Sequence, residues 1–351
     1  MEKVWHPLSS FSFWRPIWRQ HQIIHSFNKI IETKKTWFIT FEDHSFLYIN
    51  PRNKVEALAY EHLNNRLGLE NCKKMIAISD YANMRCLTWL DKINRDLLEK
   101  VVRKVIVIQP NFPVRVTSPK SYKKSQRLQL LFVGNHLARK GGIVALRLAK
   151  KAEKMGLPID VHIISELKHG SGVPTDFPDK SKYADDLKLL DLPNVTHYKS
   201  LPNGKVIELL SQSHFQMLAT LHDTYGFSVI EGFTVATPAI TTNVCALPEF
   251  VHHEKNGYLL PLELNDIRHW KNWLPAEKRN SEEYWDILDS TYELIADRAL
   301  QVILNFLDRD DKDEHYELLS EGALAQAKNF NNSEIQNELF DNLYSEAAGE
   351  A

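Results

Sequence analysis

Short apolar runs alternate with longer stretches patterned as helices, and this alternation restricts the chain to parallel βαβ units. Gln22 to His25, Thr36 to Phe41, Met75 to Ile78 and Val105 to Ile108 each have the length and composition of a buried strand. Between them, Lys54 to Leu67 and Tyr81 to Val102 are spaced as helices. Parallel neighbours require such crossovers, so the pattern points to a parallel sheet and away from a sandwich or a bundle. Pro110-Asn-Phe-Pro113 and the polar Thr117 to Ser125 then interrupt it, as a connector between domains does. A second alternating series follows in Leu128 to Val133, Ile159 to Ile164, Val195 to Tyr198, Phe215 to Thr220 and Ala239 to Thr242. From Ser281 onward the pattern is wholly helical, with an apolar face through Leu288, Tyr292, Leu294, Ile295, Ala299, Val302, Ile303, Phe306 and Leu307. The expected division is residues 1–118 and 119–330, two Rossmann-like α/β domains.

The 351 residues, 43% apolar and 25% charged, suffice for a sizeable core in each domain. A net charge of −2 gives no basic footprint, so a nucleic-acid partner is not expected and any anion site must be local. Cys72, Cys86 and Cys245 are far apart without metal-ligand spacing, which fits a reducing cytoplasm better than a disulfide framework. No apolar run approaches the roughly 20 residues of a membrane span. The stretch Trp5 to Arg19 mixes Trp5, Phe11, Phe13, Trp14 and Trp18 with Arg15 and Arg19. Two readings stand for it: peripheral contact with the inner face of the membrane, or aromatic packing in the first domain's core.

Chemistry concentrates in the second series. Its first strand runs into Gly134-Asn135-His-Leu-Ala-Arg139-Lys140-Gly141-Gly142, a glycine-bounded turn bearing two cations before a helix. Fixed positive charge beside free backbone N–H groups suits a diphosphate; a solvated basic turn is the plain alternative. The run Phe215 to Thr220 leads into Asp223-Thr-Tyr-Gly226-Phe227-Ser228-Val-Ile-Glu231, two carboxylates around a turn and a helix start. Each carboxylate also has an ordinary explanation. Ser228-Val-Ile-Glu231 fits a capping box, and Asp223 fits a turn or N-cap aspartate. Two strand-turn-helix units presenting ligand-competent groups at one sheet edge favour the binding reading.

In order, the apolar strand, G-x-x-x-x-R-K-G, Asp223-x7-Glu231 with its internal glycine, Thr237-Pro238, Leu247-Pro-Glu249 and Asn256-Gly-Tyr-Leu-Leu-Pro261 resemble the C-terminal domain of glycosyltransferase family 4, the retaining GT-B enzymes. The resemblance runs from about Leu128 to Pro261. It implies a GT-B fold of two Rossmann-like domains facing a cleft, the N-terminal one shortened. A closing helix, about 331–351, would cross back onto that first domain. It further implies that Arg139 and Lys140 hold the donor diphosphate and Glu231 the ribose. Asp223 would lie by the donor sugar, and Gly134, Asn135, Gly226, Phe227 and Ser228 would complete the donor site. The catalytic set would be Asp223, Lys140 and Arg139, with Tyr198 to Leu201 near the base.

The chain departs from the family at Asn135, where arginine is frequent, at Asp223, where glutamate is usual, and at Cys245-Ala246, where a glycine pair is usual. Its catalytic-domain histidine has no clean counterpart, leaving Glu42 and His44 as acceptor-side candidates. Asp185-Asp186 and Asp310-Asp311 read as solvated helix faces rather than metal ligands, and the remaining histidines show no ligand spacing. No cofactor and no required metal are therefore expected. The function implied is transfer of a sugar, with retention, from a nucleotide-diphosphate sugar to a hydroxyl of a saccharide or lipid-linked acceptor. A non-catalytic nucleotide- or partner-binding protein is the rival. A dehydrogenase is weaker, since no G-x-G-x-x-G follows a strand.

Overall fold

In the computed structural model, the described residues are 13–14, 23–47, 51, 53–122 and 127–349. Apart from the backbone of Phe13–Trp14, which pairs in parallel with Ile30–Ile31, the stretch Trp5 to Arg19 lies outside them. The chain divides into two units, Met1–Asn111 with Ser333–Ala351, and Phe112–Asn332.

The first unit holds four parallel strands in sequence order: β1 (Ile23–Phe27), β2 (Thr36–Phe41), β3 (Cys72–Ala77) and β4 (Val105–Val107). Helix α1 (Lys54–Asn65) starts where the Asn53 side chain accepts from the Glu56 N–H. The single helix expected over Tyr81 to Val102 is two, α2 (Asp80–Ile93) and α3 (Arg95–Val101). Asn94 breaks it, because its carboxamide caps α3 through the Leu97 N–H. The closing helix belongs to this unit: α9 (Ser333–Ala348) lays Phe340, Leu343, Tyr344 and Ala347 on the cluster of Phe38, Ile76 and Ile108. The Tyr344 hydroxyl lies 2.6 Å from His25 Nδ1, tying the end of the chain to β1.

In the second unit six parallel strands are β5 (Leu128–Val133), β6 (Ile159–Ile164), β7 (Val195–Tyr198), β8 (Phe215–Leu218), β9 (Ala239–Thr242) and β10 (Gly257–Leu260), in the spatial order β10-β9-β8-β5-β6-β7. The winding runs outward from β5 through β6 and β7, then restarts at β8 on the other flank of β5. The crevice at the carboxyl ends of β5 and β8 is therefore the topological switch point, where open α/β sheets bind ligands. Helix α4 (Gly142–Lys154) follows β5, and its buried face of Ile143, Val144, Leu146, Leu148 and Ala149 lies against the sheet and the long α7 (Glu282–Leu307). Asp186 is buried, contrary to the expected solvated face, because its two oxygens take a bidentate pair from Arg147 of α4 at 2.7 and 2.9 Å. The loop Gly170 to Pro178 also turns inward at Thr175, Asp176 and Phe177.

The connector after Pro113 is packed. Lys120 sends its ammonium to the carbonyls of Leu210 and Ser213 and to Thr237 Oγ1, at 2.6 to 2.9 Å. Beside it, His214 is buried, and its Nδ1 accepts the Gln129 N–H at 2.9 Å, so protonating that nitrogen would break a β5 contact. Burial, with the Lys120 charge adding to it, pushes the His214 pKa down to about 4. A histidine that binds its proton later in the native state than in the unfolded chain loses stability as pH falls from about 6.5 to about 4. The expected loss is about 3 kcal/mol across that window. Urea unfolding at pH 7 and pH 4 should show it, and His214→Phe should flatten the slope.

Candidate active site

Valine 133 ends β5, and the chain turns through Gly134 to Gly141 before α4 begins. The turn is pinned to the β6 loop, with Leu137 N–H donating to Lys168 O at 2.6 Å and Lys168 N–H to Asn135 O at 2.9 Å. Asn135 itself is exposed. Thr220, fully buried just past β8, donates through Oγ1 to Arg139 O at 2.6 Å, and its carbonyl accepts Thr242 Oγ1 at 2.5 Å. One threonine thus stitches the cationic turn, the end of β8 and the end of β9 together. No local motif marked it.

Arg139 Nη1 donates to His222 O at 3.2 Å, and Lys140 Nζ forms an ion pair with Asp223 Oδ2. The other oxygen, Asp223 Oδ1, accepts from Tyr225 N at 3.3 Å and Gly226 N at 3.0 Å. Asp223 is therefore both a turn aspartate, the plain role, and the partner of a site cation. Burial alone would raise its carboxyl. The charge and hydrogen bond of Lys140, the nearby Arg139 charge and the Tyr225 N–H overcome that and hold it below the ordinary carboxylate range.

Gly226 sits at φ +95°, a left-handed conformation that glycine adopts without steric cost, and caps α6 (Phe227–Phe233). The capping box over Ser228 to Glu231 does not form. The cap falls on Gly226, so Ser228 is already inside the helix and Glu231 lies too far along it to reach back. Instead Glu231, half-buried one turn in, accepts from Asn203 Nδ2 at 3.1 Å. Burial raises its carboxyl, with the Asn203 hydrogen bond and the Arg115 charge working against that shift. Phe227 is 40% exposed and Ser228 half-buried on the same first turn. Asn203 follows the stretch Tyr198 to Leu201, which brings that segment toward Glu231.

The fold thus gathers Gly134, Arg139, Lys140, Asp223, Gly226, Phe227 and Glu231 around the ends of two adjacent strands. Glu42 and His44 lie in the first unit, past β2. Glu42 accepts from Asn28 Nδ2 at 3.1 Å. His44 donates from Nδ1 to Asp43 at 2.5 Å, packs at a tilt against Trp89 with ring centres 4.8 Å apart, and lies 3.1 Å from Arg85 Nη2. Asp43 and Arg85, rather than Glu42, are the groups that hold this histidine.

Tertiary folding also assembles a group the sequence spacing hides. The ligand-capable atoms of His222, Cys245 and His269, from three separate loops of the second unit, all lie within 4.8 Å of one another.

Residues 115–269 match the family of glycosyl transferases group 1. That span contains both strand-turn-helix units of the site. A search of the curated proteins finds no match. Among solved structures, the chain is similar to sucrose-phosphate synthase from Thermosynechococcus elongatus, at 12% identity and a TM-score of 0.59 over 94% of this chain and 75% of that one. A glycosyltransferase from Rickettsia africae matches at 13% identity and 0.54, over 99% and 80%. Anabaena HepE, solved with UDP-glucose, matches at 11% and 0.55, over 93% and 79%. The fold is therefore GT-B, and with the family match it supports a glycosyltransferase. No described helix is long and apolar enough to cross a membrane.

Proposed function

We propose that this protein transfers a sugar, with retention of configuration, from a nucleotide-diphosphate sugar to a hydroxyl of a saccharide or lipid-linked acceptor. The observation that carries the reading is the Arg139, Lys140, Asp223 and Glu231 constellation at the switch point between β5 and β8. In this reading Arg139 and Lys140 face the diphosphate, which competes with Asp223 for the Lys140 ammonium. Each charge-assisted contact is worth about 1.5–3 kcal/mol. As the bond from the anomeric carbon to the diphosphate breaks, negative charge grows on the leaving oxygen, and the two cations stabilise it without a metal.

Asp223 suits a binding role better than an acid role. Its carboxyl stays ionised and both oxygens are engaged, so it has no proton to give. Its fixed charge would stabilise the positive charge that develops on the sugar ring. Same-face attack then lets the acceptor hydroxyl pass its proton to the departing diphosphate oxygen while the new C–O bond forms, so no protein base is needed. Retention is tested by the anomeric configuration of the product. An inverted product would refute it, and donor binding without turnover across a saccharide and lipid-linked acceptor panel would favour the non-catalytic rival.

Glu231 is proposed to hold the ribose hydroxyls, with Asn203 orienting its carboxylate. Calorimetry with UDP, GDP and ADP identifies the preferred nucleotide. Wild type should then bind the 2′,3′-dideoxy analogue at least ~10-fold more weakly, the value of a hydrogen bond to a charged group. Glu231→Ala should bind both forms alike. Discrimination that survives in Glu231→Ala would remove this residue from ribose recognition.

A further inference from the structure

We propose that His222, Cys245 and His269 bind a divalent transition metal of the zinc class, which ties together three loops beside the proposed donor site. Two ring nitrogens and a thiolate sulfur make a donor set that selects zinc-like ions over magnesium or calcium, which take oxygen ligands. Cys245 is fully buried, His269 is 3% exposed and His222 half-buried. Their ligand atoms already lie within 4.8 Å of one another. Around a tetrahedral ion with bonds of about 2.0–2.3 Å, ligand atoms sit about 3.3–3.8 Å apart, so side-chain rotations of about 1 Å close the shell.

The backbones carrying these ligands are already placed. His222 follows β8, and its carbonyl accepts Arg139 Nη1 at 3.2 Å. Cys245 follows β9 at φ +52°, a left-handed conformation that favours glycine, and its N–H donates to Arg268 O at 2.8 Å. His269 is set by its own N–H to Asn265 Oδ1 at 3.0 Å. The Cys245 thiol and the two imidazoles thus lie close enough to supply a sulfur and two nitrogen donors to one ion. Binding converts the Cys245 thiol to a thiolate and releases one proton per ion. A fourth ligand, water or another group, would complete the tetrahedral shell. The ion would act by positioning: His222 directly precedes Asp223, so fixing its ring fixes the segment that carries Asp223 and receives Arg139.

Metal binding is measurable without any sugar donor, so it stands or falls separately from the transfer reading. Full-length protein, stripped of metal by chelation, is titrated with Co²⁺ and followed by visible and near-ultraviolet absorption, then challenged with Zn²⁺. One equivalent should saturate with a thiolate-to-cobalt charge-transfer band, Zn²⁺ should displace it, and bound Zn²⁺ should raise the thermal midpoint. Cys245→Ser should lose the thiolate band, and His269→Gln should weaken binding at least ~10-fold, since losing even a partner hydrogen-bonded to a ligand costs about that much. Should Cys245→Ser fail to fold, His269→Gln carries the test. No saturable binding by wild type, a thiolate band that persists in Cys245→Ser, or full affinity in His269→Gln would overturn the proposal.

Discussion

Lys140→Met is expected to destabilise the second unit by about 3 kcal/mol and to weaken nucleoside-diphosphate binding by about 10- to 100-fold. The stability loss follows from what remains behind. The Asp223 side chain is 4% exposed and Lys140 23%, and removing one partner of a buried pair leaves a charge in low dielectric, at a cost of about 3–5 kcal/mol. The lower end applies because Lys140 is partly solvated and because the Tyr225 and Gly226 N–H groups still serve Asp223 Oδ1. Binding loses one charge-assisted contact, about 1.5–3 kcal/mol. Adding Asp223→Asn to Lys140→Met should restore part of the stability, since no buried charge is then unpaired, without restoring affinity.

The pH dependence of the pair has a definite sign. With the native Asp223 carboxyl held below its unfolded value near 3.8, the stability it contributes is present above that value and is lost as pH falls through the native pKa. In Lys140→Met the opposing charge is gone and burial raises the carboxyl, so the acid transition should move upward. Urea unfolding over pH 3 to 7 and calorimetry with the preferred nucleotide provide both readouts. Unchanged affinity in Lys140→Met would remove this residue from the donor site.

Gly141→Ala should have an effect of similar size for a different reason. Gly141 is at φ +87° at the start of α4, and a Cβ there would come within 2.3 Å of the Ala219 carbonyl oxygen. That oxygen is backbone at the end of β8 and cannot swing aside. Gly156 is the matched control, at φ +64° with nothing near a new Cβ. Gly156→Ala should cost only the left-handed backbone penalty, about 1–2 kcal/mol. Gly141→Ala should cost at least ~2 kcal/mol more, in the range of severe core lesions, and should displace Arg139 and Lys140 with the turn. Equal unfolding midpoints for the two variants would show that the β5 turn can move away from β8, and that the close approach does not set the cation positions.

The elements that were legible along the chain are those whose signal is local. Each apolar run became a parallel strand because a strand covered on both faces is apolar almost throughout, as Phe215, Met217 and Leu218 are, with the buried Gln216 between them donating to the Val229 and Thr237 carbonyls. The R-K-G turn and the Gly226 turn were readable because glycine and paired cations in so few residues have few other uses. Local signals also misled where tertiary partners outbid them. The capping box at Ser228 gave way to a glycine cap, the helix over Tyr81 to Val102 broke where Asn94 found a backbone donor, and Asp186 was drawn inward by Arg147.

By itself, then, the sequence determined two α/β halves, a helical close, and the two turns that carry Arg139, Lys140, Asp223 and Glu231, because strand burial and turn chemistry are written in neighbouring residues. Only the tertiary structure decided that β5 and β8 are adjacent, so that Lys140 closes on Asp223, Thr220 locks both turns, and Asn203 reaches Glu231. It alone also brought the ligand-capable atoms of His222, Cys245 and His269 within 4.8 Å of one another. Strand order is set by which faces bury best against which helices, and that choice is made between segments dozens of residues apart, where no local spacing records it.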